Sequence, residues 1–421
     1  MGILKEISEL INEGIISKEI AEKIKNYYKN KDDNSANRLF VIFGVLGSIL
    51  VGLGIILIIA HNWDELSRAT KTSFAFIPLI AGQLLAGFSL FKKQNNTAWR
   101  EASSAFLFFM IGASISLISQ IYNIVGNLSG FLLIWMLLAI PLVYIMKSSI
   151  TSLLYIAAIT YYAVESGYSY YHPSLFNYYW ILLVLILPNY YLLYKRSPKS
   201  NYFTFHNWLI PISLIISLGI ISHNFEELLF VAYISLFGLF YLIGNTDFFS
   251  NNKLFNNSFK ILGSLGTISL LLTFSFEWFW KDLRDPNFIL DGVYSSPEFI
   301  VSVIISFIAV YLLFKQIKQR NIKPISFVFI LFFLIFFLNI SYSLSVILIN
   351  IIVFAIGVLT IREGAGQNHL GILNYGLLVI TSLIICRFFD VDLSFIFRGL
   401  LFIFVGVGFF VANYLILKKR K

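Results

Sequence analysis

Charged residues and cysteine are both scarce in this chain of 421 residues. Only 13% of the residues are charged and 58% are hydrophobic, whereas about 25% of the residues in a soluble domain are charged. The composition therefore excludes a soluble enzyme. The single cysteine, Cys386, excludes an intramolecular disulfide and with it a fold that depends on disulfides.

Patterns that bind metals or nucleic acids are also lacking. No two of the five histidines lie one helical turn apart, a spacing typical of zinc ligands on a helix, so we expect no metal and no other cofactor. The net charge of +9 comes from Lys and Arg in short connections between apolar runs, where orientation in a membrane accounts for them. We therefore expect no nucleic-acid partner.

Apolar runs occupy most of the sequence. A helix needs about 20 apolar residues to cross the hydrocarbon core of a bilayer, which is about 30 Å thick. The runs predict an all-α polytopic transmembrane helical bundle of about 14 spans. They lie at 39–60, 74–91, 103–124, 129–146, 150–164, 178–194, 205–221, 228–244, 259–279, 299–314, 324–338, 343–361, 371–385 and 395–417.

Lysine and arginine are divided unequally between the two sides of this bundle. If the first 38 residues are cytoplasmic, all but six of the 31 basic residues lie in cytoplasmic segments. The positive-inside rule predicts such an asymmetry, and it indicates an even number of spans with both termini in the cytoplasm. The six exceptions are Arg68, Lys71, Lys281, Arg284, Arg387 and Arg398.

The first 38 residues are mostly polar and differ from the spans. Apolar residues at helical spacing occur in 4–11 and again in 20–28, and Ser17 can cap the second group. We expect a short cytoplasmic helical hairpin over 1–38 that serves packing or assembly, and a regulatory sensor is the alternative role.

Two motifs that recur predict an internal repeat. F-x-x-L-G-S begins at Phe43 and again at Phe259, and W-x-[DE]-L follows at Trp63 and at Trp280. The repeat is a 6+2+6 parallel arrangement of spans, which is typical of transporters. Its parts are a first transmembrane bundle at 39–194, two linking spans at 195–258 and a second transmembrane bundle at 259–421.

Polar side chains at the ends of spans are the candidate functional site, because a charge inside a bilayer costs about 2.5–3.5 kcal/mol. His61, Asn62 and Asp64 directly follow the first span. A histidine titrates near neutral pH, and a neighbouring carboxylate can hold or relay its proton. The alternative interpretation is a helix end with its capping residues.

Two further pairs complete the candidate site. Gln120 and Asn123 lie three residues apart, so we expect both amides on one helix face, where hydrogen bonds between helices are the alternative role. Arg387 and Asp390 flank the last outer loop, where a surface ion pair is the alternative. Most acidic residues after the first 38 lie on the outer side, so we expect the site to open outward.

Small residues recur every fourth position in the first span, at Gly44, Ser48 and Gly52. This spacing allows a neighbouring backbone to approach closely. We therefore expect the first span to pack inside the bundle.

Five segments of the first 150 residues form a distinctive set. They are 13–17 (EGIIS), 60–64 (AHNWD), 99–101 (WRE), 119–123 (SQIYN) and Gly130-Phe131 with Trp135 and Pro141. Together they resemble the bacterial predicted membrane proteins of domain-of-unknown-function family 2157. The resemblance implies a bacterial inner (plasma) membrane location, and it implies no biochemical activity.

The sequence favours a transporter or permease-like protein with a small-molecule substrate. Many secondary carriers have a polar site between repeats, and the short loops leave no room for a soluble catalytic domain, so we favour a role other than an enzyme. One alternative is a membrane-embedded transferase that acts on a lipid-linked substrate at the outer face, because Asp64 and Glu65 form an acidic pair after the first span. A non-catalytic scaffold without a substrate is the other, and in every case we expect membrane lipid as a partner.

Overall fold

The computed structural model is helical through most of the residues that it describes. No β-strand occurs among them, so the predicted all-α class is confirmed. The described residues are 7, 10–11, 13–14, 17–24, 42–54, 57, 66–168, 178–222, 225–251, 253–283, 293–319, 323–338, 341–390, 396, 399–400, 403, 406–408, 410–411 and 414.

The chain divides into two compact units, one up to Phe203 and one from Thr204. The described helices of the first unit are α1 (18–24), α2 (Ile42–Gly54), α3 (Arg68–Lys92), α4 (Thr97–Ile121), α5 (Leu128–Met146), α6 (Ser149–Gly167) and α7 (Tyr179–Arg196). The next helix, α8 (Asn201–Leu218), begins at the boundary between the units.

The second unit continues with eight described helices and several single 3-10 turns. These helices are α9 (Glu226–Gly244), α10 (Asp247–Ser250), α11 (Ser258–Thr273), α12 (Glu277–Leu283), α13 (Pro297–Lys318), α14 (Val328–Phe337), α15 (Tyr342–Gly366) and α16 (Leu370–Asp390). The 3-10 turns lie at Gly219–Ile221, Leu254–Asn256, Val293–Ser295 and Pro324–Phe327.

Helices overlap each of the first thirteen predicted spans. Within the described residues, eight helices are long and apolar enough to cross a membrane, and three shorter apolar helices accompany them. The protein is therefore a multi-pass helical membrane protein whose apolar helices need a lipid environment. Most of the fourteenth predicted span, 395–417, lies outside the described residues, and the number of crossings stays a prediction.

Polar residues between the apolar runs determine where the helices begin. The side chain of Asn96 accepts a hydrogen bond from the backbone N–H of Trp99 at 3.2 Å, and Asn127 accepts one from Gly130 at 2.8 Å. Each cap satisfies one of the backbone N–H groups that the first turn of a helix leaves without a partner. Capping therefore places the first residues of α4 and α5.

Two predicted span ends were wrong. The third span was expected to reach residue 124, but α4 ends at Ile121, and Asn123 has a left-handed backbone with φ of 50°. The ninth span was expected to reach residue 279, but α11 ends at Thr273 and α12 begins at Glu277. In both places the apolar sequence continues while the backbone already turns.

Aromatic side chains form the centre of the core of the second unit. Phe274, Trp280 and Phe332 are fully buried. The ring of Phe274 lies 5.1 Å from that of Trp280 and 4.7 Å from that of Phe332, measured between centroids. Such edge-to-face contacts add to the stabilisation that burial provides. They connect α12 and α14 to the turn after α11.

Glycines bring α9 and α11 into backbone contact. A methyl group added at Gly244, at the end of α9, would lie 2.5 Å from the backbone nitrogen of Lys260. One added at Gly263 in α11 would overlap the backbone of Tyr241. Because only glycine fits at both positions, the two helices pack with no side chain between them.

Candidate functional site

Part of the predicted site cannot be placed. His61, Asn62 and Asp64 lie outside the described residues. Asp390 is the last residue of α16, but its side chain lies outside the described part as well. The outward-opening site therefore stays a prediction at these four positions.

Gln120 and Asn123 do not share a helix face. Gln120 is exposed in the last turn of α4, whereas Asn123 lies beyond the helix end in a left-handed conformation. Asparagine tolerates this conformation better than most residues. The backbone N–H of Asn123 donates to the carbonyl of Gln120 at 3.4 Å, so the two residues form a turn at the end of α4.

Arg387 lies in the second unit and stabilises the turn between α11 and α12. Its Nη2 donates to Ser275 Oγ at 3.1 Å, and its guanidinium carbon lies 4.9 Å from the centre of the Phe276 ring. Ser275 is fully buried. A cation over an aromatic face is attracted by the negative charge of the ring face, so this arginine holds the turn in place.

The small residues of the first span face α4. Methyl groups added at Gly44 and Gly52 would lie 3.6 Å from Ala102 Cβ and 3.0 Å from Met110 Cε. Ser48 Oγ donates to the carbonyl of Gly44 at 2.7 Å. The described part of α2 therefore packs on α4 through its small residues.

The first unit contains a buried carboxylate that the sequence interpretation placed in a cytoplasmic link. Glu101 is only 1% exposed, because α4 begins at Thr97 and not at the predicted residue 103. Its carboxylate accepts hydrogen bonds from the backbone N–H of Ser149 at 3.0 Å and of Ile150 at 2.9 Å, and from the hydroxyl of Ser148. These are the first N–H groups of α6, so Glu101 caps that helix from α4.

Further hydroxyl and amide groups extend this cluster. The hydroxyls of Ser104 and Thr151 lie 2.6 Å apart. The next residue of α6, Ser152, accepts a hydrogen bond at its Oγ from Asn189 Nδ2 of α7 at 3.0 Å. Side chains of α4, α6 and α7 therefore meet through polar contacts inside an otherwise apolar bundle.

Hydroxyl groups continue along one face of α6, which we call the polar face of α6. At 100° per residue these positions fall within about one third of the helix circumference. Tyr155 donates to the carbonyl of Leu182 in α7 at 3.3 Å, and Ser166 donates to the carbonyl of Tyr162 at 2.7 Å. The members, all buried, are Ser148, Thr151, Ser152, Tyr155, Tyr162 and Ser166. Their helical spacing was visible in the sequence.

Potential metal ligands do not form a cluster in the described part of the chain. No three His, Cys, Asp or Glu side chains of the described residues lie together in a way that could hold a metal ion. The side chains that meet in the described site are hydroxyls, an amide and one buried carboxylate.

The comparison with known families covers the region that holds much of this cluster. Residues 8–152 match a family described as predicted membrane protein (DUF2157). This match confirms the resemblance and its extent, and it includes Glu101, Ser148 and Thr151. No curated protein and no solved structure matches the chain.

Proposed function

We propose that the protein is a permease that moves a small polar solute across the membrane along the polar face of α6. The observation that carries the proposal is a row of buried hydroxyl groups that follows the whole helix. With a rise of 1.5 Å per residue, the 19 residues of α6 extend over about 28 Å. This length is close to that of the hydrocarbon core, which is about 30 Å thick.

The cost of burying hydroxyl groups supports a functional role. A hydroxyl that leaves water needs a hydrogen-bond partner, and apolar side chains would fill the same space without that requirement. Polar residues inside a bundle often line solute or proton pathways. On the polar face of α6, Tyr155 donates to the carbonyl of Leu182, in the first turn of α7, so this face also contacts a second apolar helix.

The ends of this path agree with the predicted orientation. Because Glu101 of α4 caps the start of α6 and the two helices run in the same direction, Gln120 and Ser166 point to the same end. There the path would meet the predicted site of His61, Asn62 and Asp64. The other end carries Lys and Arg, such as Lys92, Lys147 and Arg196. We propose that this basic end is cytoplasmic, as are both termini, in a bacterial inner membrane.

The test compares two tyrosines of α6. Tyr155 is fully buried on the polar face, and Tyr161 is 50% exposed on another side of the helix. Tyr155→Phe and Tyr161→Phe each remove one hydroxyl, and each variant is returned to a deletion strain at an equal protein level. Small metabolites are then measured in cells and in medium.

The expected result is a polar metabolite whose distribution between cells and medium changes in the deletion strain. Wild type and Tyr161→Phe should restore the distribution, and Tyr155→Phe should not. If no metabolite is redistributed, or if both variants restore it equally, the permease proposal is wrong. Accumulation of a lipid-linked precursor without any redistribution would instead favour the transferase.

A further inference from the structure

Several helix ends of the second unit converge at one place. The backbone of Gly244 touches that of Lys260, which brings the end of α9 to the start of α11. Gln316 near the end of α13 donates to the carbonyl of Leu242 at 2.6 Å. The ion pair between Lys323 and Glu363 joins the 3-10 turn before α14 to the end of α15. We call this region the basic end of the second unit.

Positive charge predominates in this region. Among the described residues it has six basic side chains and only two acidic ones, Asp247 and Glu363. The basic side chains are Lys253, Lys260, Lys315, Lys318, Lys323 and Arg362. Four of them are exposed, whereas Lys260 and Lys323 are partly buried. The two partly buried lysines are therefore the candidate binding site of this region.

Lys260, Lys323 and Glu363 interact electrostatically. Glu363 pairs with Lys323 and also accepts a hydrogen bond from Gln367 Nε2 at 3.1 Å. The ammonium of Lys260 is attracted by Glu363 and repelled by Lys323. Two ammonium groups and one carboxylate therefore interact, and one positive charge of the three groups is not balanced.

The ammonium of Lys260 makes no hydrogen bond to any residue in the described part of the chain. Two carbonyls at the end of α9 already accept hydrogen bonds from side-chain amides. Gln316 binds the carbonyl of Leu242, and Asn257 Nδ2 binds that of Gly244 at 2.8 Å. A partly buried ammonium has lost part of its hydration, and it needs acceptor oxygens in return.

The position of Lys260 in its helix adds to the positive potential. It lies in the first turn of α11, where the helix dipole favours a negative charge and disfavours a lysine. The start of a helix attracts phosphate oxygens for the same reason. An anion between the two lysines would thus meet both ammonium groups and the positive end of α11.

We propose that a phosphate group binds between Lys260 and Lys323 at the basic end of the second unit. Lysine binds phosphate as a compact point charge. The ends of spanning helices lie at the depth of lipid headgroups, where basic sites between helices bind anionic lipids. The phosphate can belong to the headgroup of a phospholipid with a net negative charge or to a soluble phosphate, and the chemistry at the two lysines is the same.

The test uses the purified full chain and follows thermal unfolding by tryptophan fluorescence. One arm adds inorganic phosphate in neutral detergent, with chloride at equal ionic strength as the reference. The other arm compares nanodiscs of phosphatidylcholine with nanodiscs of equal parts phosphatidylcholine and phosphatidylglycerol. If the protein is stabilised in both arms, the phosphate group alone is sufficient for binding. If it is stabilised only by phosphatidylglycerol, the ligand is the lipid headgroup.

Two substitutions test the residues. Lys260→Met should weaken the binding of the stabilising ligand about tenfold, because one hydrogen bond to a charged group is lost. The matched control is Lys315→Met, which removes an exposed lysine of the same region and should change binding less than about twofold. Glu363→Gln removes the carboxylate that competes with the ligand for Lys323, so it should strengthen binding. This variant also tests the proposal if Lys260→Met does not fold.

The proposal is overturned if neither ligand stabilises the protein more than chloride or phosphatidylcholine does. It is also overturned if Lys260→Met and Lys315→Met weaken binding equally, since binding would then reflect overall charge. Because this site lies in the second unit, its outcome is independent of the path along α6.

Discussion

The carboxylate of Glu101 accepts the backbone N–H of Ser149 at 3.0 Å, so that a side chain of α4 closes the beginning of α6. These two residues are 48 positions apart in the sequence. A buried carboxylate is tolerated only when its oxygens receive hydrogen bonds. Glu101 therefore fixes the position of α6, and with it the polar face of that helix.

Replacing Glu101 by glutamine should destabilise the protein by about 2–3 kcal/mol. The amide keeps one acceptor oxygen, so its NH₂ would face either the N–H of Ser149 or the N–H of Ile150 together with the hydroxyl of Ser148. Denaturant unfolding in detergent measures the loss. Glu22→Gln is the control, because Glu22 is exposed in α1 and should change stability by less than about 0.5 kcal/mol. Equal effects of the two changes would contradict the capping role.

The spans could be predicted from the sequence, but the capping role of Glu101 could not. Hydropathy located the spans, because a run of apolar residues is a local property of the sequence. The start of α4 is also local, since Asn96 caps it, but hydropathy placed it six residues too late. The contact from Glu101 to Ser149 depends on how α4, α5 and α6 pack. No spacing within one span could predict it.

Gly112 should not tolerate even an alanine. A methyl group there would lie 2.6 Å from Cε2 of Trp135. The indole cannot easily move, because its Nε1 donates to the carbonyl of Phe108 at 2.8 Å. Gly112→Ala should therefore cost about 1–3 kcal/mol, measured by thermal unfolding.

The matched control for this change is Gly87→Ala in α3. No atom lies within 4 Å of a methyl group added at Gly87. Alanine also favours a helix over glycine by about 0.5–1 kcal/mol, so this variant should be as stable as the wild type or slightly more stable. A loss as large as that of Gly112→Ala would show that the contact with Trp135 is not the cause.

Replacing Arg387 by methionine should loosen the turn between α11 and α12. The change removes the hydrogen bond to Ser275 and the contact with the Phe276 ring, which together contribute about 1–3 kcal/mol. Hydrogen exchange of residues 274–276 should accelerate. Arg362→Met, at an exposed position of α15, should leave that exchange unchanged. Protection of the turn in both variants would exclude this role for Arg387.

Arg387 and Asn123 also show what could be read from the sequence. Both were chosen because polar residues at span ends are uncommon and costly. The sequence could not show that Asn123 lies past the end of α4, since the apolar character continues to Ile124. The partners of Arg387 lie more than a hundred residues before it, and folding alone brings them together.

The glycine contacts between α9 and α11 limit how the second unit can move. Helices slide past one another by shifting side chains between alternative rotamers, and here no such layer separates Gly244 from Lys260 or Gly263 from Tyr241. A displacement along the pair would force one main chain into the other. If the protein changes conformation, we expect α9 and α11 to move together as one rigid body. Any hinge then has to lie elsewhere in the chain.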